Sequence, residues 1–103
     1  MALDLNLKEF QVWFVTGSQH LYGEEALKQV EEDAKKVARF LDDTAEIPVS
    51  VVYKPVMTTS DSIRRLIAEA NADEKCVGLM MWMHTFSPAR MWIAGLNLLN
   101  KPY

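Results

Sequence analysis

Amide, imidazole, hydroxyl and phenol groups crowd into one short segment of this chain, Gly17-Ser18-Gln19-His20-Leu21-Tyr22-Gly23. An imidazole can move a proton, and amide and phenol groups can hold hydroxyls. The segment contains no carboxylate. A general acid–base pair cannot be assembled from it alone, so its inventory suits holding a polar small molecule better than breaking a bond. A second stretch, His84-Thr85-Phe86-Ser87, offers another imidazole and an aromatic ring, again without an acid.

Other chemistries fit these residues less well. Dinucleotide binding asks for G-x-G-x-x-G, and the first segment has only its two bounding glycines, with no Walker lysine after either. Thr16, Ser18 and the free amides that open the next helix could still hold a phosphate, with Trp82 or Phe86 stacking a flavin as in a flavodoxin-type carrier. His20, His84 and Glu24 are a thin set for a catalytic metal. A phospho-receiver needs an acceptor aspartate at the end of a strand, and no such residue is present there. Asp61 stands at a helix start, where capping explains it. Ser18 has no orienting acid nearby, and Cys76 stands at the opposite end of its apolar run. Trp82, Phe86 and Trp92 read either as core packing or, for Phe86, as the apolar wall of a polar ligand's crevice.

Alternating elements must position these loops. The run from Phe10 to Thr16 is apolar on both alternating faces and predicts a central strand ended by Gly17. Leu27, Val30, Ala34, Val37, Ala38 and Leu41 recur at three- and four-residue steps, predicting a helix over 24–42 with Glu24 and Glu25 at its positive end. Residues 47–53 predict a second strand whose Pro48 suits an edge. Thr59 or Ser60 is the expected N-cap of a second helix with Ile63, Leu66, Ile67 and Ala70 inward. Residues 76–83 predict a third strand buried on both faces. Ser87-Pro88 is the signal for a third helix, in which Gly95 implies close approach to the sheet. Residues 1–9 are polar enough to fray, leaving 10–103 as one α/β domain. The order β-α-β-α-β-α predicts a three-layer αβα fold, with a parallel sheet in the flavodoxin/Rossmann-like order 2-1-3. All three strand-to-helix loops then share the carboxyl edge, where ligands bind at the switch point.

The 103 residues suffice for one domain, which buries roughly 65% of its unfolded surface. A net charge of −3 without a basic block gives no nucleic-acid footprint. The single cysteine rules out an internal disulfide, and no apolar run approaches the ~18 residues of a membrane span. The expectation is a soluble cytoplasmic protein with no membrane partner.

The run from Val12 to Gly23, V-W-F-V-T-G-S-Q-H-L-Y-G, resembles the N-terminal signature of the L-arabinose isomerases. H-T-F-S-P-A-R-M-W-I from His84, followed by Gly95-Leu96 and Leu99-Asn100-Lys101-Pro102, is similar to the next block of that family, and Lys54-Pro55 and Thr58-Thr59 fit between. The resemblance implies an aldose–ketose isomerase that converts L-arabinose to L-ribulose, and D-galactose to D-tagatose less well. It implies a divalent manganese ion, an enediol path, and a cytoplasmic hexamer with active sites between subunits. It further implies that the N-terminal domain rims a neighbour's sugar pocket, with Gln19, Leu21 and Phe86 contacting substrate. His20 and Tyr22 belong to the motif without an assigned role. Family members are several times longer, and their metal ligands and catalytic acid and base lie beyond position 103. The chain is therefore expected to be the first part of such an enzyme, inactive alone, interrupted near a fourth strand begun by residues 100–103. The exposed edge of the third strand would then favour self-association. A ligand-free scaffolding domain is the remaining alternative.

Overall fold

A computed structural model describes residues 7–18, 23–44, 46–82 and 90–103. Strand β1 (Gln11–Thr16) is followed by α1 (Glu24–Asp43), β2 (Ser50–Tyr53), α2 (Ser60–Ala72), β3 (Cys76–Trp82) and α3 (Arg90–Leu98). The three strands form an all-parallel sheet in the order β2-β1-β3. This is the α/β architecture that the alternation of periodicities predicts. None of the helices among the described residues is long and apolar enough to cross a membrane.

The central strand is buried from Trp13 to Thr16 because each face meets a different helix layer. Phe14 points to α1, where it packs with Ala34, Ala38 and Val51. Trp13 and Val15 point the other way, into a core built with Ile63, Leu66 and Ile67 of α2 and Trp92 of α3. The small alanines at 34 and 38 let α1 lie close over β2, and the Phe14 side chain of β1 reaches up to them.

Four details differ from expectation, each for a local reason. The segment Leu7–Glu9 is a 3₁₀ turn rather than a frayed end. Lys8 Nζ donates to the carbonyls of Val49 at 3.2 Å and Asp42 at 3.4 Å, and Ser50 Oγ donates to the Lys8 carbonyl at 2.8 Å. Strand β2 begins at Ser50, not Ile47, because the Ile47 amide turns back to the Thr44 carbonyl and Pro48 has no N–H for a ladder. Strand β3 is not covered evenly. Its register against β1 slips from Gln11↔Cys76 to Val12↔Gly78, so Val77 is an extra residue. The slip puts Cys76 and Leu79 in the same core and leaves Val77 39% exposed. Finally, Gly95 makes its close approach to α2, not to the sheet. A Cβ there would stand 2.9 Å from Ile63 Cγ2.

The helix ends follow from side-chain chemistry. Thr59 caps α2 in a reciprocal pair with Ser62, whose amide donates to Thr59 Oγ1 at 3.1 Å. Asp61 sits in the first turn and pairs with Arg64. Asp73 ends α2 and then accepts the amides of Lys75 and Cys76 on its carboxylate, which starts β3. The outer edge of β3 is engaged at one point, where the Leu79 amide donates to the Pro102 carbonyl at 2.9 Å. The expected unpaired edge is thus occupied beside Gly78, whose missing Cβ leaves room for that carbonyl.

Candidate functional site at the carboxyl edge of the sheet

Three segments converge where β1 ends. Gly17 bridges to Met57 in the loop after β2, and its amide donates to the Trp82 carbonyl at the end of β3, at 3.2 Å. The Met57 amide donates to the Thr16 carbonyl at 2.8 Å, and the Ser18 amide donates to the Met57 carbonyl at 3.1 Å. The start of the glycine-bounded segment is therefore held between the second loop and the third strand. This is the switch-point geometry of a 2-1-3 sheet.

Thr16 and Ser18 are both fully buried at this junction. On the far side of the segment, Gly23 is the N-cap of α1 with φ of 87°, a left-handed conformation that glycine adopts without strain. Among the described residues no side chain caps α1, and the exposed Glu24 and Glu25 complement its N-terminal dipole. Gln19, Leu21 and Phe86 lie outside the described residues, as do His20, Tyr22 and His84. The Ser87-Pro88 helix start does too.

The aromatic residues near this edge divide their roles. Trp92 is core, at 4% exposure. Trp82 is half-buried with its ring 5.9 Å from that of Phe14, tilted by 52°. Lys54 Nζ lies 3.9 Å from the centroid of the Trp13 ring, a cation–π contact on the α2 side of the sheet. Sequence reading missed this contact, because Lys54 follows β2 by one residue and only the strand register brings it over Trp13. Cys76 is buried at the opposite edge, where burial pushes its thiol pKa up, against a nucleophilic role. Among the described residues, no group of three or more His, Cys, Asp or Glu side chains could hold a metal ion.

A concavity of about 310 Å³ lies between α1 and β2, lined by Lys35, Arg39, Asp42 and Tyr53 among others. Tyr53 lines it, while its hydroxyl is buried without a well-aligned hydrogen bond. Burial first, and the Glu31 charge second, raise its pKa above the usual 10.0, with the Val56 backbone opposing. The folded state thus favours the neutral phenol. Its contribution to stability is complete below the unfolded pKa and is lost as pH rises through the folded one. An alkaline melting series should show a decline beginning near the ordinary tyrosine pKa. In Tyr53→Phe that decline should shrink, and an identical decline in both chains would refute the assignment.

The chain matches the family described as the L-arabinose isomerase N-terminal domain over residues 6–103. It is similar to the protein named L-arabinose isomerase from Koribacter versatilis (strain Ellin345), 58% identical over 99 residues, 96% of this chain and 20% of the relative. It is similar to the proteins of the same name from Clavibacter sepedonicus, 57% identical over 98 residues covering 95% of this chain and 19% of that protein, and from Geobacillus stearothermophilus, 56% identical over 98 residues covering 95% and 20%. The chain spans about a fifth of the length of these curated relatives. Matched along almost its whole length, with a parallel 2-1-3 sheet in which the ends of β1 and β3 meet the loop after β2, the chain belongs to the L-arabinose isomerase N-terminal domain family.

Proposed function

We propose that this chain forms the substrate-rim and subunit-contact domain of an L-arabinose isomerase. In this reading the whole enzyme moves a proton between adjacent carbons of an aldose, converting L-arabinose to L-ribulose and D-galactose to D-tagatose. Gln19, Leu21 and Phe86 contact the sugar. The observation that carries the reading is identity above 50% along nearly the whole chain to proteins named for that reaction. The convergence of Gly17, Met57 and Trp82 supports it physically, since it anchors the Gln19-bearing segment to the sheet edge.

The division of labour follows from the residue inventory. The first and third loops carry no carboxylate. Proton transfer and the manganese ion are assigned to parts of the enzyme beyond this chain, in a homo-oligomer of the cytoplasm. The chain alone binds and orients.

The test is complementation. The chain is combined with the remaining portion of a relative, manganese is supplied, and ketose is measured. Restored ketose formation is expected, whereas stable association without activity would refute the rim role. In that complex Gln19→Ala should raise KM about three- to tenfold, the loss of roughly one hydrogen bond. Manganese affinity should be unchanged, and a weakened metal would show that the labour is divided differently.

A further inference from the structure

We draw no further inference here: the strongest candidate, the concavity between α1 and β2 lined by Lys35, Arg39, Asp42 and Tyr53, has Lys35 paired with Glu31 and Asp42 holding the Val51 amide, and nothing in the structure shows what fills it.

Discussion

Gly95→Ala is expected to lower the stability of this chain, although alanine is the better helix former. In an open helix the exchange would gain about 1 kcal/mol. Here the new methyl would stand 2.9 Å from Ile63 Cγ2 and 3.4 Å from Ile67 Cγ1. Both isoleucines are buried in the core, at 0% and 1% exposure. Cγ2 is attached directly to a branched Cβ whose rotamer is restricted in a helix, so it cannot swing aside. Relief requires α3 to move away from α2, opening the core around Trp92. Overpacking of this kind costs about 1–3 kcal/mol, which exceeds the propensity gain over most of that range. For a domain of this size each kcal/mol shifts the melting temperature by about 4–8 °C. Thermal unfolding followed by circular dichroism checks the sign. A rise in melting temperature would mean that the helices separate freely. A double variant sharpens the test. Ile63→Ala alone should cost about 2–5 kcal/mol. Combined with Gly95→Ala it should cost less than the sum of the two, because the new methyl then enters space that Ile63 vacated.

Asp42→Ala should be comparably damaging, through an edge rather than the core. Asp42 lies near the end of α1, and its Oδ1 accepts the Val51 amide at 2.9 Å in a part-buried position. That amide belongs to the outer side of β2, since Ser50 and Lys54 donate inward to the Phe10 and Phe14 carbonyls. The carboxylate thus takes the place a further strand would occupy, and its charge discourages another chain from pairing there. The Lys8 ammonium, on the carbonyls of Asp42 and Val49, ties the same helix end to the strand. Losing a charged acceptor from a partly buried amide costs about 1–3 kcal/mol. Asp42→Asn keeps an acceptor oxygen and should recover part of that loss. Sedimentation velocity across a concentration series should show more self-association in Asp42→Ala than in the parent. Unchanged melting together with unchanged sedimentation would show that the edge does not depend on this carboxylate.

The two variants mark the boundary of what could be read from residue order. The inward residues of α1 and α2 follow from three- and four-residue steps, and Val30, Ala34, Ala38, Ile63, Leu66, Ile67 and Ala70 are all buried as that pattern requires. The burial of β1 on both faces follows from its unbroken apolar run, and the 2-1-3 order from right-handed crossovers. The meeting of Gly17 with the loop after β2 and the end of β3 was legible because the carboxyl ends of parallel strands gather at one edge. Sequence reading did not find the buried, unpaired hydroxyl of Thr16. A threonine at a strand end looks the same whether or not its hydroxyl finds a partner.

Other features were decided between elements. Val77 is an extra residue only relative to Gln11 and Val12, and a uniformly apolar run conceals a one-residue slip. Gly95 signalled close approach, but its partner is α2 because two helices share that face of a three-stranded sheet. Asp42 reads as one more exposed acid on a polar helix face until β2 is laid beside it. Periodicity along a chain reports which side of an element is buried, because each residue's direction is set by local backbone geometry. The particular atoms it meets depend on the offset between elements far apart in sequence, and that offset is fixed only when the sheet pairs and the helices close over it.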